Sequence, residues 1–325
     1  MSEPLSPWVV VLESNRRVGQ RIARVMASAV GLGRVAYIDQ AAELSTVVGP
    51  DTRIIAFGER QIEQVVEWDG RAYPEVSYLV WISERAQRLF DIARELPAMS
   101  NFVGWPSFHS MPRPWELTMV ARRLIDPYEP PPSIMDLLRW GATAMEWTPS
   151  STIDRDIAVA EISQLVFELC DMQRVADRVA ELVHELLMNA MYDAPRDGQG
   201  RLRYALDRRQ DIVLGELERP TLRLGTDGMQ LAVEVTDPFG ALERDHVMSG
   251  VARGLAAVGS SDTSAIIDTS HGGAGLGIAK LYMGSAGLII DVQPGLSTTV
   301  TSLHDLDISP REMRSMPGSL HYFGR

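Results

Sequence analysis

The chain has 325 residues, of which 45% are hydrophobic and 23% charged, so it is long enough for about two domains with separate cores. Its net charge of −12 argues against nucleic-acid binding through a general electrostatic field, and its single cysteine, Cys170, excludes an internal disulfide framework and a zinc site built on several cysteines. No apolar run approaches membrane-spanning length and no signal-peptide pattern opens the chain, which predicts a cytoplasmic protein without nucleic-acid or membrane partners.

Short apolar runs alternate with amphipathic stretches in the first part of the chain. Five runs are predicted as strands, at residues 9–12, 34–38, 53–57, 76–82 and 101–104. Each is followed by a stretch with helical spacing, at residues 15–30, 41–48, 60–68, 86–95 and 114–124. Five strands alternating with five helices predict a doubly wound parallel sheet. The lengths and order of these elements resemble a response-regulator receiver domain over residues 7–125.

The sequence departs from the receiver family where receivers carry out phosphotransfer. Residues 57–59 (Phe-Gly-Glu) contain no aspartate phosphoacceptor, and Trp105-Pro106 replaces the family's Lys-Pro. Ser83 matches the Ser/Thr that receivers carry after the fourth strand. Glu13 matches one residue of the acidic pair that receivers carry after the first strand. Without the nucleophile and the cation, phosphotransfer should fail. We interpret this domain as a pseudo-receiver used for protein contacts, with a generic flavodoxin-like domain as the alternative.

A change in composition separates the two predicted domains. All seven tryptophans lie at or before Trp147, and residues 126–133 (DPYEPPPS) contain four prolines. We therefore predict four segments: a receiver-like domain over residues 1–125, a proline-rich linker over 126–134, a second domain over 135–304 and a C-terminal tail over 305–325. The tail is polar with interspersed apolar residues. Disorder is the default expectation for it, and packing back on the domain or binding a partner are the alternatives.

The second domain combines helical and strand patterns. Helical spacing is found at residues 134–145, 157–169 and 173–190. Two hairpins are predicted, with strands at residues 221–224 and 230–235 and at residues 288–292 and 298–303. Between the hairpins, residues 241–271 are predicted to form a mobile lid, and residues 272–278 (GGAGLGI) a glycine-rich loop that starts a helix. The overall prediction is an α/β protein.

Three motifs of this domain suggest a nucleotide site. Glu185 and Asn189 are four residues apart and share one face of the predicted helix, while Asp237 ends a strand. The glycine-rich loop lets backbone N–H groups approach phosphates, and the helix after it adds its positive dipole end. Together, in this order, the motifs resemble the Bergerat-fold ATPases over residues 150–304. That group includes gyrase B, heat-shock chaperones, histidine kinases, mismatch-repair ATPases and anti-sigma-factor serine kinases.

The resemblance implies a role for each matching residue. Glu185 matches the acid that activates a water or hydroxyl, Asn189 the Mg²⁺ ligand that bridges to the phosphates, and Asp237 the carboxylate that accepts the adenine amino proton. The phosphate-facing loop is matched by Gly273, Gly275, Leu276 and Gly277. Weaker matches are Asp193 near the base, Gly240 in the adenine-side turn and Thr299 on the phosphate side. The implied fold is an α/β sandwich with a mixed, mostly antiparallel sheet, and the implied ligands are ATP or ADP with Mg²⁺.

The sequence also departs from this family. Phe239 takes the first glycine position of the adenine-side turn, which leaves only a displaced Gly240. Tyr192 lies where sensor kinases commonly place a basic residue for the phosphates. We hypothesise that Lys280, the only lysine of the chain, supplies that charge, with an ordinary surface lysine as the alternative. A Walker loop and a Rossmann fingerprint fit the glycines less well, because neither the lysine spacing nor a preceding strand matches.

The predicted activity depends on what the chain retains. No histidine lies between His109 and His184, which excludes a sensor-kinase phosphoacceptor in that interval. The retained Glu185 favours protein Ser/Thr phosphotransfer or slow ATP hydrolysis, as in the anti-sigma-factor kinases. The altered adenine turn, Tyr192 and the degenerate receiver favour the alternative, a non-catalytic, nucleotide-responsive adaptor that docks partners through its pseudo-receiver. Either function implies a protein partner in a signalling pathway, and a homodimer is left open.

Overall fold

The computed structural model describes residues 6–68, 73–85, 87–105, 113–259, 276–306, 308 and 316–324. The chain is a mixed α/β protein, which confirms the predicted class. No helix in these described ranges is both long enough and apolar enough to cross a membrane. The chain divides into two compact units, the first formed by residues 1–84 and 95–131 and the second by residues 85–94 and 132–325.

The first unit is built on a parallel sheet. Its strands are β1 (Val9–Leu12), β2 (Val35–Ile38), β3 (Ile54–Gly58), β4 (Ser77–Ile82) and β5 (Met99–Gly104). They pair in the order β2-β1-β3-β4-β5. Strands β1 and β3 are buried along their whole length, as expected for parallel strands covered on both faces. The connecting helices are α1 (Arg16–Val30), α2 (Leu44–Val47), α3 (Ile62–Glu67), α4 (Gln87–Glu95) and α5 (Pro114–Ile125).

The second unit contains a mixed, mostly antiparallel sheet. Its strands are β6 (Thr143–Trp147), β7 (Thr221–Thr226), β8 (Gln230–Asp237), β9 (Gly287–Gln293), β10 (Ser297–Asp305) and β11 (Ser319–Gly324). They pair in the order β11-β9-β10-β8-β7-β6, and only β11 and β9 are parallel. Both predicted hairpins, β7–β8 and β9–β10, are present. Helix α4 connects β4 to β5 along the chain, but all of it except Glu95 belongs to this second unit, where Phe90 packs edge-on against Tyr282 with ring centroids 5.3 Å apart.

Two segments of the second unit differ from the prediction. Residues 134–145 are not a helix, because turns occupy most of the segment and β6 begins at Thr143. Ile134 and Leu137 are buried, so their helix-like spacing reflects a turn that buries two apolar side chains. The C-terminal tail is not wholly irregular either, since β11 adds to the sheet beside β9. Its strand pairing replaces the expected disorder at residues 319–324.

The helices of the second unit are α6 (Thr152–Cys170), α7 (Gln173–Met188), α8 (Arg244–Gly259) and α9 (Leu276–Gly284). The predicted apolar stripe of α7 is buried, at Val175, Val179, Leu182, Val183, Leu186 and Leu187. A π-helical turn, Asn189–Asp193, continues α7, and in it the Ala194 N–H donates to the Asn189 carbonyl at 2.9 Å. Helix α8 occupies much of the predicted lid, so that part of residues 241–271 is regular structure.

Candidate functional site

A cavity of about 310 Å³ lies in the second unit, and five of the sequence-predicted site residues line it. These are Glu185, Asn189, Asp193, Asp237 and Gly277. They come from α7 with its π-helical turn, from the end of β8 and from the start of α9. The fold therefore brings together side chains that are far apart in the sequence. The volume is at the lower end of the range of small-molecule sites.

The α7 segment places three polar side chains on the cavity. Glu185 and Asn189 are one helical turn apart, and Asp193 follows at the end of the π-helical turn. The Glu185 side chain is 14% exposed and that of Asp193 is 35% exposed. The π-helical turn is a rare geometry that occurs often at functional sites, because it redirects side chains at the end of an α-helix.

Asp237 supplies a buried carboxylate to the cavity. It is the last residue of β8 and is 7% exposed. Burial raises the pKa of Asp237 to about 6, although the backbone N–H groups of Phe239 and Gly240 and the Thr298 hydroxyl oppose this shift. The Phe239 N–H donates to Asp237 Oδ1 at 2.9 Å. The carboxylate is therefore mostly ionised at neutral pH, with accepting capacity left for a ligand.

Thr298 lies opposite Asp237 in the β8–β10 pairing and also lines the cavity. Its hydroxyl is buried beside the Asp237 carboxylate and interacts with it. The buried hydroxyl and the buried carboxylate together offer hydrogen-bonding groups to a ligand or to bound water. Thr299, the residue predicted for the phosphate side, instead bonds through its hydroxyl to that of Thr236 at 3.0 Å. It is not among the described cavity-lining residues.

Gly240 supports the turn that holds Asp237. Its φ of +61° belongs to the left-handed region, and a Cβ there would lie 2.1 Å from the Gln293 carbonyl oxygen. The position therefore requires glycine on two independent grounds. Gly240 does not line the cavity in the described structure, so its contribution is to the backbone path of the turn.

Gly277 lets the start of α9 approach α7. A Cβ at Gly277 would lie only 2.0 Å from Glu185 Oε1. The missing side chain therefore allows the N-terminal end of α9 to reach the cavity beside Glu185. Leu276 is the first residue of that helix. Gly273 and Gly275 of the predicted phosphate loop, Pro106 of the first unit and residues 260–271 of the predicted lid lie outside the described residues.

Lys280 and Tyr192, the two residues considered in the sequence for the phosphate side, contact other parts of the second unit. The Lys280 ammonium pairs with Glu181 Oε1 at 2.6 Å, and Lys280 does not line the cavity in the described structure. Tyr192 is 1% exposed and donates its hydroxyl hydrogen bond to the Gln210 carbonyl at 2.8 Å. Neither side chain therefore lines this cavity in the described part of the chain.

Arg208 is one of the polar cavity residues that sequence reasoning missed, together with Arg196, His246 and Thr298. Its Nε donates to Asp193 Oδ1 at 3.1 Å, and its Nη2 contacts Asp193 Oδ2 and lies 3.3 Å from Asn189 Oδ1. Its Nη1 lies 3.8 Å from Glu185 Oε1. Burial lowers the pKa of Arg208, but the hydrogen bond to Asp193 and the charges of Asp193 and Glu185 outweigh it and raise the pKa overall. The guanidinium is therefore a fixed positive charge in the cavity wall.

The oxygens that the resemblance assigns to Mg²⁺ do not fit that ion in this structure. Asn189 Oδ1, the implied metal ligand, already lies within hydrogen-bond distance of Arg208. The two carboxylates beside it, Glu185 and Asp193, pair with the same guanidinium. A hard divalent cation needs these oxygens at about 2.1 Å and would sit against a like charge. Asn189 is therefore part of an arginine site as the chain is folded here.

Two acids of the first unit, Glu13 and Glu59, are engaged by neighbouring side chains. The Ser83 N–H donates to Glu59 Oε1 at 3.1 Å, and the Ser83 hydroxyl bonds to the same oxygen. The Trp81 indole donates to Glu13 Oε2 at 3.3 Å. A Cβ on Gly58 would lie 2.6 Å from the indole nitrogen, so Trp81 crowds the turn where a receiver would carry its phosphoacceptor.

Comparison with models of known protein families found no match for the chain, and a search of curated proteins found no significant match either. Function must therefore be inferred from the residues and contacts described above.

Proposed function

We propose that the second unit binds an adenine nucleotide as a Bergerat-type, histidine-kinase-like ATPase domain. The observation that carries this proposal is the buried Asp237 carboxylate, which lines the cavity opposite the buried Thr298 hydroxyl. An ionised carboxylate only accepts hydrogen bonds. Adenine presents an exocyclic amine, a donor, at the position where guanine and hypoxanthine present a carbonyl oxygen. Asp237 would therefore select adenine.

The remaining walls of the cavity suit the other parts of a nucleotide. Val235, Ile278 and Val300 provide an apolar lining that is compatible with an aromatic base. The start of α9 reaches the cavity at Gly277, and free N–H groups at a helix N-terminus favour an anion. ATP or ADP is the ligand class that combines such a base with such an anion.

The architecture of the chain is consistent with this proposal. The second unit combines a mostly antiparallel sheet with α7, and the motifs follow one another as the Bergerat resemblance implies.

The first unit has parallel strands in the order β2-β1-β3-β4-β5, an order that receivers share with flavodoxin. We propose that this unit is a pseudo-receiver that contacts a protein partner in a signalling pathway. Its acids, Glu13 and Glu59, are held by Trp81 and Ser83.

Binding is supported more firmly than catalysis. Glu185, the proposed general base, lines the cavity beside Gly277, which favours phosphotransfer or slow hydrolysis as a second candidate function. Its carboxylate also pairs with Arg208, which lowers its availability as a base. The first candidate is therefore a nucleotide-responsive adaptor, and the second is an ATP-dependent protein kinase or ATPase.

Calorimetric titration of the full chain with ATP and with inosine triphosphate tests nucleotide binding. The two ligands differ at the exocyclic position that Asp237 is proposed to recognise, so ATP should bind at least about tenfold more tightly. Lys280→Met should leave the ATP affinity unchanged, because Lys280 pairs with Glu181. Failure of ATP and ADP to bind at millimolar concentration would reject the proposal.

A phosphate-release assay separates the two candidate functions. Glu185→Gln removes the proposed base while it retains the shape of the side chain, and Glu181→Gln is the matched control because Glu181 pairs with Lys280. Turnover that is lost in Glu185→Gln and retained in Glu181→Gln supports the enzyme. Equal, negligible turnover in the wild type and in both variants, with ATP binding intact, leaves only the adaptor.

A further inference from the structure

We propose that Arg208 takes the place of a divalent cation in this cavity and binds the nucleotide phosphates directly, so that nucleotide binding does not require Mg²⁺. This inference rests on the proposed nucleotide site. The observation behind it is the disagreement between the metal role that the resemblance implies for Asn189 and the guanidinium that this residue contacts at 3.3 Å.

The contacts of Arg208 cover the oxygens on which a metal site would depend. The guanidinium engages both oxygens of Asp193 through Nε and Nη2, a two-point contact that suits its planar shape. The same Nη2 reaches Asn189 Oδ1, and Nη1 faces Glu185 at 3.8 Å. A single positive group therefore contacts all three polar residues of the α7 segment.

Arg208 retains capacity for a ligand. A guanidinium has five N–H donors in a fixed plane. Here Nε and the two donors of Nη2 bond Asp193 and Asn189, while Nη1 has the longer contact with Glu185 at 3.8 Å. The side chain is 29% exposed and lines the cavity, so part of it is accessible from the ligand's side. The two N–H groups of Nη1 are therefore the donors available to a phosphate oxygen.

Hydrogen bonds attach the loop that carries Arg208 to α6 and to the π-helical turn that continues α7. The Tyr192 hydroxyl donates to the Gln210 carbonyl at 2.8 Å and lies 3.1 Å from Thr152 Oγ1. The Ile212 N–H donates to that threonine oxygen at 2.9 Å. These bonds connect the backbone near Arg208 to the end of α7 and to the start of α6. The guanidinium is therefore positioned by the fold.

This arrangement accounts for two departures from the family pattern. Tyr192 lies where a basic residue for the phosphates is expected, and it anchors the loop that delivers Arg208. Lys280, the alternative source of charge, pairs with Glu181 instead. Arg208 is then a cation that compensates for both. Arg196 also lines the cavity, but Arg208 is the arginine that the charges of Glu185 and Asp193 hold in place before the nucleotide arrives.

Titrations with ATP in excess Mg²⁺ and in excess EDTA test the proposal. The wild type should bind ATP with affinities that agree within about twofold in the two buffers. Arg208→Met should lose about tenfold or more in EDTA and recover part of that loss in Mg²⁺. Arg208→Lys, which retains a positive charge, should bind ATP in EDTA better than Arg208→Met does.

Arg209→Met is the matched control, because Arg209 is an exposed neighbour that does not line the cavity. This variant should bind ATP as the wild type does. A wild type that loses its ATP affinity in EDTA, with Arg208→Met unaffected in Mg²⁺, would overturn the proposal.

Mn²⁺ binding without nucleotide gives a second and independent readout. In electron paramagnetic resonance titrations, the wild type should leave Mn²⁺ free, whereas Arg208→Met should bind it through the released oxygens of Glu185, Asn189 and Asp193. Thermal unfolding of Arg208→Lys and Arg208→Met confirms that the variants are folded. If the wild type binds Mn²⁺, or if folded Arg208→Met does not, then Arg208 does not replace a metal. If neither the wild type nor Arg208→Met binds ATP in Mg²⁺ or in EDTA, the proposed function fails. The Mn²⁺ titration still decides whether Arg208 takes the place of a metal ion.

Discussion

Asp237 and Thr298 face each other across the β8–β10 pairing, and both side chains are buried at the cavity. One is a carboxylate whose pKa burial raises to about 6, and the other is a hydroxyl that interacts with it. The burial of an ionised carboxylate costs free energy that hydrogen bonds from a ligand would offset. The pair therefore links ligand binding to the stability of the second unit.

Asp237→Asn should weaken ATP binding about tenfold or more at pH 7.5, because the ionised acceptor is lost. The amide can also donate a hydrogen bond, so the variant should discriminate less between ATP and inosine triphosphate than the wild type does. Calorimetric titration with both nucleotides measures this change. Asp227→Asn is the control, since Asp227 caps the β7–β8 turn and accepts from the Gln230 N–H at 2.7 Å, outside the cavity. Unaltered discrimination in Asp237→Asn would contradict the role of this carboxylate.

Asp237 should also make stability depend on pH between about 4 and 6. Burial raises its pKa from 3.8 to about 6 in the folded protein, so the folded state holds the proton more tightly than the unfolded chain does. Below both pKa values the carboxyl is neutral in both states and carries no penalty. As the pH rises through this window, the unfolded state ionises first, and the fold loses up to about 3 kcal/mol.

The measurement is the difference in unfolding free energy between the wild type and Asp237→Asn at a series of pH values. A difference is needed because buried histidines act in the opposite direction: burial lowers the pKa of His304 to about 3, which destabilises the fold as the pH falls. Relative to Asp237→Asn, the wild type should become less stable from pH 4 to pH 6.5. A difference that is flat over this range would show that Asp237 titrates normally. ATP should reverse part of the loss, since it binds the ionised form.

The packing of α8 on α9 depends on Gly254. A Cβ at this position would lie 2.2 Å from the Ala279 Cβ, so Gly254→Ala should destabilise the chain by about 1–3 kcal/mol. Ala279→Gly removes the opposing methyl group and by itself should cost about 1 kcal/mol as a glycine within a helix. The double variant should be more stable than the sum of the single effects predicts. Denaturant unfolding of the four proteins completes the cycle, and strict additivity would mean that the two positions do not contact each other.

The parts of the fold that the sequence predicted are those with a strong local pattern. The hairpins β7–β8 and β9–β10 have compact turns and buried apolar runs. Strand β6 has no such signal, because its side chains are mostly exposed and its partner β7 is distant in the sequence. Strand β11 lies in a polar tail, and its parallel pairing with β9 exists only in the folded chain. Long-range pairing overrode local propensity in both cases.

Some residues of the candidate site could be predicted from the sequence, and others could not. Glu185, Asn189 and Asp237 could be selected from their spacing and order, and the structure places them around one cavity. Arg208 could not be selected, because residues 201–209 contain four arginines and nothing local distinguishes one of them. Its position depends on the tertiary hydrogen bond of the loop to Tyr192. Charge pairing between a loop and a helix cannot be read from periodicity.

Gly240→Ala should disrupt the turn that holds Asp237. The φ of +61° costs an alanine about 1 kcal/mol, and the added Cβ would lie 2.1 Å from the Gln293 carbonyl, 2.7 Å from the Gly295 nitrogen and 2.9 Å from the Leu296 nitrogen. Because all three atoms belong to the backbone, the clash cannot be relieved by rotating a side chain. We expect a loss of more than about 3 kcal/mol of stability, together with the loss of ATP binding.

Gly228→Ala isolates the backbone contribution to that loss. Gly228 has a φ of +84°, also in the left-handed region, but a Cβ there would have no atom within 4 Å. The variant should lose about 1 kcal/mol, the cost of the strained φ alone, and should bind ATP as the wild type does. Thermal and denaturant unfolding of the two variants, with ATP titration of whichever remains folded, make the comparison. Equal losses of stability in Gly240→Ala and Gly228→Ala would mean that the backbone around Gln293 moves aside. The turn at Asp237 would then accommodate the added methyl group.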